Sequence, residues 1–508
     1  MHRWSNCWRR NKDPKLQLHD ILKRNWDVAR VCALLLGLVL PLGVAATPQE
    51  LVKASAKGDL AEVERLLAAG DAAGARAGDG SLALQAAITS YAPSLGVIEL
   101  LLAKGAKPDQ ENAARQLALH LAIAIRKQDV REAVFGKLIE AGADIHLRDR
   151  GGYTPLITAS EKGCFFCVKL LLAKGADKDA RTPLGESSLA RALLNQHHKI
   201  AEMLLDAGAD VSFRSSNLDT DAMMSAAWSG YVDIVRRIHA KGGKIDHANV
   251  RGESPLIFAS VKGHVEVIEY LLAQGAKVNQ RDLKGMTPLL AAALEANPDT
   301  LRLLLRHGAD LRATDLEGRT VFIRAAINGR VPQLVALREA GADLEARDAQ
   351  GYSALMAAVE HNRVAAAEWL IAASADVKVR SLKGESAFDI AIAKNNETLA
   401  SLLIESGASV TERDRDGNPP LLLAVRKGAR GIVARLLKAG VKINETNDAG
   451  QTAAYEAAAQ GRVDMLDVLL RGGADLNLAD HKGVTPFARA SLDKRAEAAK
   501  WLIEKGAR

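Results

Sequence analysis

Residues 248–280 read ANVRGESPLIFASVKGHVEVIEYLLAQGAKVNQ. Gly252 closes a turn, Ser254 is placed to cap a helix, and Pro255 suits the first helical turn, where no backbone N–H is needed. Leu256, Phe258 and Ala259 give a short helix with a small inner face, and Gly263 ends it. Val265, Val267, Ile268, Leu271 and Leu272 then recur at the i, i+3, i+4 spacing of a second apolar helix face. Gly275 stands just past that helix, where left-handed backbone favours glycine. Lys277 to Arg281 form a short extended stretch leading to the next turn. A turn and two antiparallel helices of this size cannot bury their own apolar faces, so the unit needs a neighbour on each side.

The neighbours are in the sequence. Comparable stops fall at Gly70, Gly105, Gly142, Gly175, Gly208, Gly242, Gly275, Gly308, Gly341, Ser374, Gly407, Gly440, Gly473 and Gly506, at intervals of 35, 37, 33, 33 and 34 and then eight of 33. A sustained period of this length means one supersecondary unit stacked many times, which overrides a domain count based on length. The predicted fold is an all-α solenoid of about fourteen helix-turn-helix repeats joined by short β-hairpin loops, with each first helix shorter than its partner. It occupies residues 47–508, behind a leader over residues 1–46. Two extra residues are expected around Tyr91–Pro93, four around Arg126–Asp129, each between the helices of its repeat, and one in the hairpin near Ser215. The charged outer side of the last helix (Lys494, Arg495, Glu497, Lys500, Lys505) suits a terminal cap.

The unit resembles the ankyrin repeat. The residues that carry the likeness are Gly152, Thr154-Pro155-Leu156, Gly163, Leu171-Leu172 and Gly175-Ala176-Asp177, with Gly285-Met286-Thr287-Pro288-Leu289 and Gly483-Val484-Thr485-Pro486-Phe487 repeating the opening. The position after Thr-Pro-Leu, usually His in that family, is Ile157, Ile257, Leu290, Ile323, Met356 and Leu422, so packing is expected to replace a hydrogen bond. Thr182-Pro183-Leu184 is out of register, because Gly185 lies 33 residues after Gly152 and the matching start is Ser187-Ser188-Leu189.

Residues 1–30 carry eight Lys or Arg against three Asp, residues 31–46 (VCALLLGLVLPLGVAA) are uncharged and mostly apolar, and Val44 and Ala46 form a small-residue pair. Basic, apolar, then small is the order of a secretory signal peptide. Thr47-Pro48-Gln49-Glu50 follows as a capping box with Pro at N1. The expectation is an exported protein, periplasmic or extracellular. Inner-membrane anchoring by an uncleaved residue 31–46 segment, or a start placed too far upstream, stays open. Pro41, Gly43 and the 16-residue length favour cleavage over a stable span, for which roughly 20 residues are typical. Membrane contact is expected only if that segment stays uncleaved.

The leader holds a surplus of five positive charges, which leaves the rest of the chain near +2 of the total +7. Nucleic-acid readers need a basic stripe, often with stacking aromatics, and only 4% of residues are aromatic. No nucleic-acid partner is expected.

Beyond Cys7 and Cys32 in the leader, the only thiols are Cys164 and Cys167, in Cys-Phe-Phe-Cys at the start of a second helix. Cys167 matches the buried position of Val267, and Cys164 the loop position of His264. In an oxidising compartment such an i, i+3 pair is a candidate disulfide; the βαβ setting of a redox enzyme is missing, and zinc finds no second pair. His197 and His198 diverge by roughly 100° on a helix and cannot share a metal; they read as solvated. Asp149, Glu186, Asp282, Asp315 and Asp348 sit at repeated turn positions and are expected to serve hairpin hydrogen bonds. No catalytic residue, cofactor or metal is implied, and the chain is read as no enzyme.

The resemblance implies a concave groove lined by hairpin tips and by the exposed ends of the first helices. At the latter position the sequence reads Glu161, Leu194, Trp228, Val261, Leu294, Ile327 and Glu360, apolar in five consecutive repeats. Hairpin positions add Val250, Leu283, Met286, Leu316 and Tyr352. Contiguous exposed apolar surface marks interaction sites, so these ten residues are the candidate site for an unidentified protein or peptide. The alternative is that neighbouring repeats cover the stripe. The functional expectation is a non-enzymatic protein-interaction scaffold; its rivals are a thiol-responsive protein using Cys164 and Cys167 and a membrane-anchored structural scaffold. Ser374, in place of the helix-end glycine, is expected to mark the weakest repeat.

Overall fold

A computed structural model describes residues 47–295 and 297–508; the leader over residues 1–46, with Cys7 and Cys32, lies outside the described residues. Those residues form 28 helices in fourteen pairs and no strand. The chain divides into two compact units, one ending at Arg150 and one beginning at Gly151. Within each, first helices pack on first helices and second on second, as in Pro255–Lys262 on Ala222–Ser229 and Val265–Ala273 on Val232–Ala240.

Local chemistry starts each pair. Thr154, Ser187, Ser254, Thr287, Thr320 and Ser353 cap their helices by accepting the backbone N–H three residues on, satisfying one of the orphan donors of a helix N-terminus. Ser187 therefore starts its helix, and Thr182 belongs to the preceding turn, where its N–H donates to the Glu186 carbonyl. Burial then follows the two apolar stripes: Leu256 and Ala259, then Val267, Ile268 and Leu271, are almost inaccessible. Ile157, Ile257, Leu290, Ile323, Met356 and Leu422 are all buried, so packing does hold the position where the family commonly has His.

Three details differ from expectation. The hairpins shrink to turns closed at most by an isolated bridge, such as Arg181 with Ser187 or Thr314 with Thr320, because two or three residues per side leave no room for a ladder. In the first repeat the first helix, Pro48–Lys57, has 10 residues against 9 for Leu60–Ala68. It starts early because Pro48 occupies N1 and the Glu50 carboxylate accepts the Thr47 N–H at 3.1 Å. The four extra residues of the third repeat do not loop out; they add a turn to its second helix, Gln128–Glu140, which has 13 residues where the others have 9. Gln128 to Arg131 are helix-compatible, and an added turn leaves the buried Val134, Phe135 and Leu138 in place.

The other two insertions lie where the spacing puts them. Residues 89–94 separate the helices of repeat two. The Arg214–Asp221 bridge spans one residue more than Arg181–Ser187 or Thr314–Thr320, and its left-handed residue is Asp219 rather than glycine.

Candidate partner-binding surface

Successive turns are tied into a row. In three consecutive turns an Asp accepts the N–H groups two and four residues on: Asp282 from Lys284 and Met286, Asp315 from Glu317 and Arg319, Asp348 from Gln350 and Tyr352. That is the hairpin role the sequence assigns to these acids. Glu186 differs, its carboxylate taking the Arg191 guanidinium at 2.5 Å. From repeat six to repeat eleven, the backbone N–H of one turn donates to a carbonyl of the turn before. Val250 donates to Leu218, Leu283 to Arg251, Leu316 to Lys284, Ala349 to Glu317 and Leu382 to Gln350, at 2.8 to 3.1 Å. This one-rung-per-repeat linkage was not read from the sequence, because it depends on the rise between repeats rather than on a residue type.

Each rung carries its side chain outward. Val250, Leu283, Leu316 and Leu382 are 57%, 71%, 74% and 66% exposed, which no core requirement explains. Since adjacent turns are hydrogen-bonded to one another, Val250, Leu283 and Leu316 are consecutive members of one apolar row. Sequence reading stopped the site at Tyr352 and missed Leu382, which stands 66 residues after Leu316 and was legible from that column alone. Met286 and Tyr352 are only half-buried, not open. The Tyr352 hydroxyl donates to Glu385 at 3.1 Å. Burial first, and then this bond, push its phenol up to about 12, so it remains a neutral donor.

The stripe at the first-helix ends is less open. Leu194 is exposed, while Trp228, Val261, Leu294 and Ile327 are half-buried. Phe258 meets the Trp228 ring edge-on at 5.9 Å and the Lys262 ammonium lies 4.1 Å from its centre. The next repeat therefore covers part of the stripe without drawing it into the core. The backbone there is also occupied. His264 Nε2 stands 3.0 Å from the Trp228 carbonyl, Arg330 donates to Leu294 at 3.0 Å and Arg363 to Ile327 at 2.9 Å. A side chain from each next repeat thus satisfies a carbonyl that the helix end would leave orphaned. At the flanks Glu161 lies 3.7 Å from Arg191, and Glu360 takes Lys394 at 2.7 Å.

Neither His197 nor His198 is merely solvated. His197 Nε2 is 3.0 Å from the Glu161 carbonyl, and His198 Nε2 is 2.8 Å from Asp233. Both contacts reach the neighbouring repeat, and register across repeats, not the His-His pair itself, puts them there. Cys164 and Cys167 are buried, with sulfurs 1.97 Å and Cα atoms 5.3 Å apart. Cys164 Sγ also accepts the Cys167 N–H at 3.3 Å and so caps its helix.

Models of ankyrin repeats in sets of three copies match residues 121–215, 223–315, 374–447 and 421–508, and one for many copies matches 323–371. The chain belongs to the ankyrin-repeat family. It is 30% identical over 177 residues to the B-cell lymphoma 3 protein homolog of Mus musculus, 35% of this chain and 39% of that one. NF-kappa-B inhibitor alpha of Sus scrofa is 34% identical over 108 residues, 20% of this chain and 33% of that one. Neurogenic locus notch homolog protein 1 of Homo sapiens is 31% identical over 154 residues, 30% of this chain and 6% of that one. The matched stretches thus span two fifths or less of these relatives. Homologues of this class are interaction proteins, typically without catalytic activity.

Proposed function

We propose that the protein is a non-enzymatic scaffold that binds a protein or peptide partner along repeats six to eleven, on the concave side. The exposed row Val250, Leu283, Leu316 and Leu382 is its main contact, flanked by the half-covered Trp228, Val261, Leu294 and Ile327. The observation that carries this is the row itself: four large apolar side chains held outward on hydrogen-bonded turns, at positions the fold does not need to be apolar. Contiguous apolar surface of this kind drives association, and Trp228, with one face already packed, is a suitable rigid anchor. The similarity to a relative named as an inhibitor of NF-kappa-B fits a partner-binding role.

The test uses a peptide selected from a random library on the parent protein. Leu283→Ser with Leu316→Ser is expected to leave helicity and melting unchanged while weakening that peptide by about 30-fold or more, the level of a 2 kcal/mol hot spot. Trp228→Ala is expected to weaken the peptide as well, with a lower melting point because the ring also packs on Phe258 and Lys262. Selected peptides that bind the double variant as tightly as the parent would remove this surface from consideration.

We further propose that the protein is exported and that Cys164 and Cys167 are oxidised there. The order of residues 1–46 supports export, as does a capped helix beginning directly at Thr47. Among the described residues no helix is long and apolar enough to cross a membrane. N-terminal sequencing of the mature protein checks cleavage after Ala46, and thiol titration before and after reduction checks the pair.

A further inference from the structure

His198 opens the second helix of repeat five, His198–Asp206, and Glu202 follows one turn later on the same face. Asp233 is the second residue of the equivalent helix of repeat six, Val232–Ala240. Helix stacking brings the three together: His198 Nε2 is 2.8 Å from Asp233 Oδ2 and 3.7 Å from Glu202 Oε1, and one ligand atom from each lies within 4.8 Å of the others. We propose that these three side chains form a binding site for a divalent ion of the zinc class, pinning repeat five to repeat six.

The chemistry fits on three counts. Tetrahedral zinc with bonds of roughly 2.0–2.1 Å to nitrogen and oxygen sets its ligands roughly 3.3 Å apart, and 2.8 and 3.7 Å bracket that separation. Entry of the ion asks that the His198–Asp233 hydrogen bond open by about half an ångström and that the exposed Glu202 and Asp233 carboxylates swing in to share it. One neutral imidazole with two carboxylates offsets the charge of a divalent ion, and a nitrogen among oxygens favours zinc-class ions over calcium or magnesium. The imidazole is also held in place. It stacks on the Tyr231 ring, with centroids 4.3 Å apart and planes 11° apart, and the Tyr231 hydroxyl donates to the Gln196 carbonyl at 2.9 Å. Such outer support orients a ligating histidine. All three side chains keep between 35% and 48% of their surface in solvent, which leaves an entry path and room for water as the fourth ligand.

The location gives the ion a purpose. Repeat six is joined to repeat five through the one turn that carries an extra residue, the stretch between Arg214 and Asp221. A metal across the helix side of the same pair of repeats would fix their register where the turn side is irregular.

The test is zinc chloride titrated into the full chain against a chromogenic chelator, with thiols oxidised. The parent is expected to hold one saturable equivalent that His198→Ala and Glu202→Gln each weaken by more than about tenfold, the least that outer-shell losses cost such sites. Zinc should also raise the melting midpoint of the parent and not that of Glu202→Gln. Glu202→Gln decides the matter if His198→Ala fails to fold. Binding that does not saturate, or that is as tight in Glu202→Gln as in the parent, overturns the proposal.

Discussion

Repeats seven to nine and repeats ten to twelve share one 33-residue frame, yet they treat backbone strain differently. Across residues 252–341 every left-handed position among the described residues is a glycine, including Gly275, Gly308, Gly318 and Gly329. Across residues 362–395 three such positions carry side chains: Asn362 at φ 55°, Ser374 at φ 70° and Asn395 at φ 51°. The rungs between turns diverge as well. The first region keeps its backbone rungs, while beyond Leu382 the corresponding links run through side chains. Arg415 donates to the Leu382 carbonyl, and Arg413 reaches Glu445 at 3.3 Å and Asp448 at 3.4 Å. Backbone rungs return only at His481, whose N–H donates to Ala449. An exposed guanidinium link costs side-chain entropy that a backbone rung does not, and is screened by salt. A stacked array can thus be tied by backbone rungs as far as Leu382 and by side chains beyond it.

The largest effect is expected from breaking the region tied by backbone rungs. A Cβ on Gly318, at φ 73°, would come within 2.6 Å of the Ala349 amide nitrogen, the donor of the rung to Glu317. Left-handed strain of roughly 1–2 kcal/mol and overpacking of roughly 1–3 kcal/mol combine here. Gly318→Ala should therefore destabilise by about 2–5 kcal/mol in denaturant titration. A cost under about 0.5 kcal/mol would show that the rungs do not matter.

A reciprocal swap isolates strain from contact. A Cβ on Gly308, at φ 85°, would meet nothing within 4 Å. Gly308→Ser should thus cost about 1 kcal/mol through dihedrals alone, and Ser374→Gly should return up to about 1 kcal/mol. Equal melting of Ser374→Gly and the parent would remove strain as the cause of the difference.

Amide exchange then orders the two regions without any substitution. Opening should be easier over residues 362–407 than over 252–341, because nearest-neighbour coupling makes a strained unit a site of local unfolding. High salt should widen that gap by screening the Arg413 and Arg415 links. Protection that is highest next to Ser374 would reverse the comparison.

The smallest effect concerns Tyr352, at the boundary between the regions. Its phenol is held near 12 against an ordinary value near 10. A group raised in this way contributes stability in full below pH 10, and the contribution fades as the pH climbs to about 12. The absorbance difference between the parent and Tyr352→Phe should locate the late phenolate. A midpoint near 10 would mean that neither the burial of the phenol nor its Glu385 bond is kept in solution.

Much of this was legible in advance because glycine and proline report local geometry directly. Gly252, Gly263 and Gly275 fix the turns, Ser254 and Pro255 fix a helix start, and the apolar spacing in Val265–Leu272 fixes the buried face. Ser374 was visible as a departure, whereas Gln196, Asn362, Asn395 and Lys494, also left-handed, were not, since polar residues at a helix end read as ordinary loop. Leu283 and Leu316 stood out as apolar residues in turns, but the partial cover of Trp228 by Phe258 and Lys262 could not be seen along one strand of sequence.

By itself the sequence determined the repeat, its number and its register, because those follow from dihedral preference and hydrophobic period within each 33-residue unit. Tertiary structure alone decided what lies between units: the backbone rungs, the side chains that close orphan carbonyls, and the meeting of His198 and Glu202 with Asp233. These contacts join residues 31 to 36 positions apart, and their geometry depends on the rise and rotation from one repeat to the next. That rise comes from how two apolar faces interlock, and no local propensity encodes it.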